Sequence, residues 1–130
     1  MNFASPFVFD LAFERKRRET RLLRRPRIVD LFEQAVEFQR LLDSGAVRFR
    51  AELARRSGLS AMRVTQILAL LKLAPSIVVW IRSLPPGTPD RTVTERALRT
   101  LTALAPEAQV EVALRRIPVF RGFLHKKQAC

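Results

Sequence analysis

Apolar residues recur along much of the chain at intervals of three and four positions, which is the spacing of one face of an α-helix. The first clear run spans 28–44 and is followed by Gly45, a residue type that commonly ends helices. A short second helix is predicted over 49–57 and a third over 61–73, with Gly58 interrupting the chain between them. Since no segment shows the strict alternation of a half-buried strand, the predicted fold class is all-α.

Prolines and threonines mark the element boundaries in the second half of the chain. The stretch 85–90 combines three prolines with a glycine and is predicted to be a loop. Thr92 and Glu95 have the spacing of a capping box, which indicates a helix start close to them. We therefore expect three further helices: about 75–84, from Thr92 or Thr94 to about 104, and about 106–116.

The segment 50–71 meets the physical demands of a helix-turn-helix. The small side chain of Ala54 allows two helices to cross closely, and Gly58 supplies a turn residue that tolerates a positive φ. Ser60 is a good N-cap for the third helix. The inner face of that helix is apolar at positions i, i+3, i+4 and i+7: Val64, Ile67, Leu68 and Leu71.

The charge of the chain favours a polyanionic partner. Of its 130 residues, 24 are Lys or Arg and 12 are Asp or Glu, so the formal net charge is +12 and the pI is about 11.6. Such an excess favours nucleic acid first and an anionic membrane surface second. No apolar run reaches transmembrane length, and the basic run 15–27 has too few apolar residues for an amphipathic membrane helix. We expect double-stranded DNA as the partner and no membrane.

The third helix is the predicted reading element, because its outer face is free to enter a major groove. The predicted base contacts are Ser60, Ala61, Met62, Arg63, Thr65 and Gln66. Gln66 can form two hydrogen bonds with adenine, and Arg63 can bind a guanine or a phosphate. Basic residues of the second helix and of the N-terminal run are predicted to contact phosphate: Arg50, Arg55, Arg56, Arg15, Lys16, Arg17, Arg18, Arg24, Arg25 and Arg27.

Three parts are predicted along the chain. A basic N-terminal arm covers 1–27, a helical DNA-binding domain 28–116, and a basic C-terminal tail, expected to be loose, 117–130. The arm is interpreted as lying on phosphate or in a minor groove, with a solvated charged segment as the alternative. No leucine heptad and no separate dimerisation domain is recognisable, so we expect a monomer or weak dimer whose pairing is assisted by DNA.

Residue types that build catalytic and metal sites are scarce. His125 is the only histidine and Cys130 the only cysteine. One thiol cannot form an internal disulfide framework, so a reducing, cytoplasmic setting is expected. No constellation of nucleophile, base or metal ligands and no phosphate-binding glycine loop is recognisable. We therefore expect neither enzymatic activity nor a metal or cofactor.

Several positions follow the pattern of a known family. They are Glu52-Leu53-Ala54, Gly58, Ser60, Val64, Leu68 and Leu70-Leu71-Lys72-Leu73, and downstream 93–98, Leu101, Leu104 and 106–109. In these positions, roughly 48–115, the chain resembles the helix-turn-helix domain of ParB/KorB-type proteins, which implies double-stranded DNA binding by the third helix. Two features depart from the family. Phe49 and Arg50 stand where a polar cap and its phosphate-contacting neighbour are common. No counterpart of the ParB nucleotide-binding domain is recognisable, so CTP hydrolysis and chromosome segregation are not implied.

Together these patterns predict a sequence-specific double-stranded DNA-binding protein associated with the nucleoid. Either a small transcriptional regulator or an accessory factor of a mobile-element or recombinase locus fits. The alternative is a helical adaptor that holds a protein partner, such as a recombinase or polymerase subunit, and contacts nucleic acid only non-specifically through its basic arm. An RNA or single-strand binder is disfavoured, because aromatic residues do not alternate with basic ones.

Overall fold

The computed structural model describes Arg15 and residues 24–129, with side chains up to His125. Over this part of the chain the protein is all-helical, as the sequence predicts, with seven α-helices and two short 3-10 turns, at Leu70–Lys72 and Asp90–Thr92. The helices are α1 Arg27–Asp43, α2 Arg50–Ser57, α3 Ala61–Ala69, α4 Pro75–Arg82, α5 Glu95–Leu101, α6 Pro106–Arg116 and α7 Pro118–Ala129.

A small apolar cluster holds the helix-turn-helix together. The middle and end of α1 pack against α2 and α3, with Ala54 buried where the helices approach one another. Because Ala54 is only 5% exposed, a larger side chain there would have to push the helices apart. The cluster consists of Ala35, Phe38, Val47, Leu53, Ala54, Val64, Ile67 and Leu68.

A larger cluster lies behind the helix-turn-helix and joins the first turns of α1 to α4, α5, α6 and α7. Its centre is the aromatic pair Trp80 and Phe120, whose ring centroids lie 5.2 Å apart at a tilt of 51°. Both side chains are buried. Tilted rings at this separation are a favourable aromatic arrangement, so the pair ties α4 to α7.

The segment from Pro118 onward is not the loose tail that its basic composition suggested. It forms α7, and Phe120 on this helix is fully buried. The guanidinium of Arg121 donates hydrogen bonds of 2.8 and 3.1 Å to the carbonyl oxygen of Leu114, near the end of α6. The burial of Phe120 and the hydrogen bonds of Arg121 therefore dock a positively charged segment that its net charge alone would leave in solvent.

The root of the predicted arm is also bound to the helical body. The backbone oxygen of Arg24 accepts a hydrogen bond of 3.0 Å from Gly87 in the loop before α5. The Asp90 carboxylate accepts two hydrogen bonds, one of 2.7 Å from the Arg24 guanidinium and one of 2.9 Å from the backbone nitrogen of Arg27. One carboxylate thus satisfies the N-terminal end of α1 and pairs with Arg24, so residues 24–27 belong to the folded domain.

The start of α5 differs from the predicted capping box. Thr94 is the N-cap, and its hydroxyl accepts a hydrogen bond of 3.2 Å from the backbone nitrogen of Ala97. Thr92 lies in the preceding 3-10 turn. Glu95 is therefore the first helical residue and directs its carboxylate toward α3 rather than toward its own backbone.

Among the described residues, no single helix combines the length and the hydropathy needed to cross a membrane. Within the same residues, only the pair 61–72 and 75–82 meets the length and hydropathy criteria when both helices are taken together, and this pair is bent by 104° at its break. These segments supply buried side chains to the two core clusters, which accounts for their apolar composition.

Candidate nucleic-acid interface

The turn between α2 and α3 has the geometry that the sequence predicts. Gly58 adopts φ = 70°, the left-handed conformation that side chains disfavour. The next residue, Leu59, donates its backbone N–H to the oxygen of Ala54 at 2.9 Å and so closes the end of α2. Ser60 caps α3, since its hydroxyl accepts a hydrogen bond of 3.0 Å from the backbone nitrogen of Arg63. Local hydrogen bonds therefore fix the direction in which α3 leaves the turn.

Burial divides α3 into an inner and an outer face. Val64, Ile67 and Leu68 are all less than 5% exposed and pack against α1 and α2. On the outer side Met62 is 72% exposed, which is unusual for a large apolar side chain. Four of the six predicted base contacts are exposed: Ser60, Ala61, Met62 and Thr65. The outer face is thus available to a partner along the first turn and a half of the helix.

The two remaining predicted base contacts, Arg63 and Gln66, are half-buried, although side chains that read bases are expected to be exposed in the free protein. Arg63 Nη1 lies 2.5 Å from Glu95 Oε2 and 3.3 Å from Gln66 Oε1. The hydrogen bond to Glu95 raises the pKa of Arg63, against a smaller opposing effect of burial. The guanidinium consequently stays charged and is held by α5, an element remote in the sequence.

The N-terminal end of α2 lies beside the middle of α3. Arg50 Nη1 is 3.5 Å from the Thr65 hydroxyl, so this predicted phosphate contact borders the outer face. Phe49, at the N-cap, provides no side-chain hydrogen bond. Instead, Glu52 Oε2 accepts a hydrogen bond of 3.2 Å from the backbone nitrogen of Arg48. The missing polar cap is therefore partly replaced by a glutamate one turn into the helix.

The arginines of α2 that are predicted to contact phosphate differ in whether they already form an ion pair within the protein. Arg50 and Arg55 are exposed and form no ion pair with any other described residue, and the same holds for the neighbouring Arg48. Arg56 is already paired with Glu52, at 2.9 Å. A guanidinium that has no carboxylate partner can bind phosphate without first breaking an ion pair, so Arg50 and Arg55 are the better candidates.

The predicted contacts of the arm are described only in part. Arg15 is exposed, and Lys16, Arg17 and Arg18 lie outside the residues that the structure describes. Two further arginines are already paired, Arg24 with Asp90 and Arg25 with Asp30. Arg27 is exposed and lines a depression of about 290 Å³ together with Arg63 and Glu95. The arm therefore joins the domain next to the flank of α3.

One residue of structural importance was given no role of its own by sequence reasoning. Gln109, on α6, is 1% exposed, and its Oε1 accepts a hydrogen bond of 2.7 Å from the backbone nitrogen of Ala74. Its Nε2 donates to the oxygens of Lys72 at 2.9 Å and Leu104 at 3.0 Å. The amide thus fixes the chain that leaves α3. Its position four residues before the buried Ala113, on the inner face of α6, was the available signal.

Within the part of the chain that the structure describes, no group of three or more His, Cys, Asp or Glu side chains lies close enough together to hold a metal ion. In comparisons with protein-family models, curated proteins and solved structures, nothing matched this chain. The resemblance to ParB/KorB-type domains therefore rests on the residues that carry it and remains a prediction.

Proposed function

We propose that this protein binds double-stranded DNA sequence-specifically and reads the major groove with the outer face of α3. The observation that carries the proposal is the combination of that exposed face with unpaired arginines at its border. Met62 and Thr65 are exposed on α3, and Arg50 lies 3.5 Å from Thr65. Short and medium side chains flanked by free cations suit base contacts flanked by phosphate contacts.

The attachment of the arm supports the same proposal. Its last described residues, 24–27, are fixed beside the depression that contains Arg63. Nine residues precede Arg24 from Arg15 onward, and an extended chain of that length reaches roughly 30 Å at about 3.3 Å per residue. A basic segment anchored next to the reading helix has the reach to follow the phosphate backbone or an adjacent minor groove.

A role as a small transcriptional regulator or as an accessory factor of a mobile-element or recombinase locus fits this activity, and such a protein acts at the nucleoid in the cytoplasm. We propose a monomer or weak dimer in solution, with DNA assisting any pairing. The resemblance to ParB/KorB-type domains points in the same direction. The adaptor function makes a different prediction, since it requires no preference for any duplex.

Selection of duplexes from a random pool by the full chain tests the proposal. The selected and scrambled duplexes are then titrated with the wild type and with Gln66→Ala. We expect Gln66→Ala to cost about 1–3 kcal/mol on the selected duplex and much less on the scrambled one. Gln34→Ala is the control, because Gln34 is another half-buried glutamine and lies on α1. Equal binding of both duplexes by the wild type would contradict sequence-specific reading and favour the adaptor.

A further inference from the structure

Glu95 lies on α5, an element that the helix-turn-helix does not contain. It is the first residue of α5, directly after the N-cap Thr94, and only 19% of its side chain is exposed. Its Oε2 lies 2.5 Å from Arg63 Nη1 and 3.7 Å from Arg99 Nε. A single carboxylate is thus set between a guanidinium of α3 and one of its own helix.

The contacts of Arg63 leave one side of its guanidinium free. Nη1 is occupied by Glu95 and Gln66, while Nε and Nη2 have no partner among the described residues. An arginine presents five N–H groups in a planar fork, and two of them can bind guanine O6 and N7 together. Arg63 is therefore held at one nitrogen with the rest of its fork unoccupied.

Holding the guanidinium has a consequence for recognition. A free arginine side chain samples many rotamers, and fixing it on binding opposes the gain from the base contact. An ion pair that already restricts Arg63 reduces that loss. A carboxylate close to DNA would normally repel the phosphates. Here Arg63 and Arg99 both compensate the negative charge of Glu95.

We propose that Glu95 is a positioning residue for DNA recognition: its carboxylate orients Arg63 so that the free side of the guanidinium meets a guanine in the major groove. This inference rests on the proposed function and adds to it, because sequence preference then depends on α5 as well as on α3. Glu95 itself contacts no base. Its effect is transmitted entirely through Arg63.

The test compares wild type, Glu95→Gln, Arg63→Ala and the double variant on selected and scrambled duplexes. The quantity of interest is the ratio of the two dissociation constants, scrambled over selected. We expect Glu95→Gln to lower this ratio by about tenfold, the scale of one base contact. On scrambled DNA alone it should bind slightly more tightly, since a negative charge is lost. Arg63→Ala should lower the ratio similarly, and adding it to Glu95→Gln should change little more.

Glu111→Gln is the matched control. Like Glu95→Gln it removes one negative charge, and it breaks the 2.6 Å ion pair with Arg115 on the exposed side of α6. It should shift both dissociation constants equally and leave the ratio unchanged. A purely electrostatic effect of Glu95 would give the same result for both variants.

The outcomes separate the two proposals. Without any duplex preference in the wild type, the proposed function fails. With a preference that survives Glu95→Gln, the function stands and the role of Glu95 is refuted. If Glu95→Gln also lowers the melting temperature, it is compared with Glu95→Asp, which keeps the carboxylate, at a temperature where both variants are folded. A ratio of dissociation constants that Glu95→Asp partly restores supports the positioning role. A ratio that stays as low as in Glu95→Gln contradicts it.

Discussion

Gln109 and Ala74, 35 residues apart in the sequence, are joined by a buried hydrogen bond of 2.7 Å, which ties the chain after α3 to α6. The same amide also bonds the oxygens of Lys72 and Leu104. All three contacts connect side chain to backbone, so one residue satisfies three main-chain groups at the junction of α3, α4 and α6. These hydrogen bonds link the chain that leaves the helix-turn-helix to the start of α4 and to the segment before α6.

Gln109→Ala is therefore expected to destabilise the fold by about 2–4 kcal/mol, because it leaves a cavity and an unsatisfied buried backbone N–H at Ala74. Chemical denaturation of the variant and the wild type measures the change. Gln34→Ala is the control, since Gln34 is half-buried without a side-chain hydrogen bond to another described residue, and its cost should stay near 0.5 kcal/mol, roughly the range of surface substitutions. Equal effects of the two variants would disprove the role of Gln109.

Replacement of two glycines by alanine should change the stability of the fold in opposite directions. Gly58 has φ = 70°, and an added Cβ would meet nothing within 4 Å, so the cost of Gly58→Ala is purely conformational, about 1–2 kcal/mol. Gly122 lies inside α7 with equally open space, so Gly122→Ala should stabilise by about 0.5–1 kcal/mol. Gly58→Asn should cost less than Gly58→Ala, because asparagine tolerates the left-handed region. Thermal melts of the three variants test the turn geometry.

The C-terminal helix should contribute strongly to stability. Phe120 is fully buried against Trp80, so Phe120→Ala is expected to cost about 3–5 kcal/mol. The neighbouring Val119 is 50% exposed, and Val119→Ala should cost much less. Urea denaturation followed by circular dichroism measures the free energy of unfolding of both variants. A truncation after residue 116 that melts like the full chain would show that α7 is dispensable.

DNA affinity should fall steeply with ionic strength, with a slope of about 0.9 per phosphate contacted. Arg50→Ala and Arg55→Ala should each reduce that slope by about one and weaken selected and scrambled duplexes alike. Arg115→Ala removes the same charge from the exposed face of α6, where the arginine is paired with Glu111. Its slope should match the wild type. A slope that α2 variants leave unchanged would remove α2 from the interface.

Deletion of residues 1–23 extends this test to the arm. We expect weaker binding to all duplexes with the ratio between selected and scrambled DNA preserved, because phosphate contacts carry no sequence information. Arg24 and Arg25 are retained, since both are paired within the domain. A loss of duplex preference on deletion would instead assign base reading to the arm.

The sequence by itself determined the elements whose causes are local. Gly58, Ser60 and the small Ala54 define the turn, and the apolar spacing from Val64 to Leu68 defines the inner face of α3. Leu71, also predicted for that face, instead lies half-buried in the 3-10 turn after α3, which ends at Ala69 rather than at 73. The correctly predicted features act within one or two helical turns, where residue type and spacing are sufficient. The all-helical class and the six helices from 27 to 116 follow from such signals.

The tertiary structure alone decided which charges and polar groups meet. Arg63 and Glu95 are 32 residues apart, Arg24 and Asp90 are 66 apart, and neither pair shares a periodic pattern. In the same way, Phe120 turns an apparently loose basic tail into a core helix because Trp80 lies where it can be covered. Every long side chain in a basic sequence has several possible partners, and only the packing of the helices brings one of them within hydrogen-bond distance.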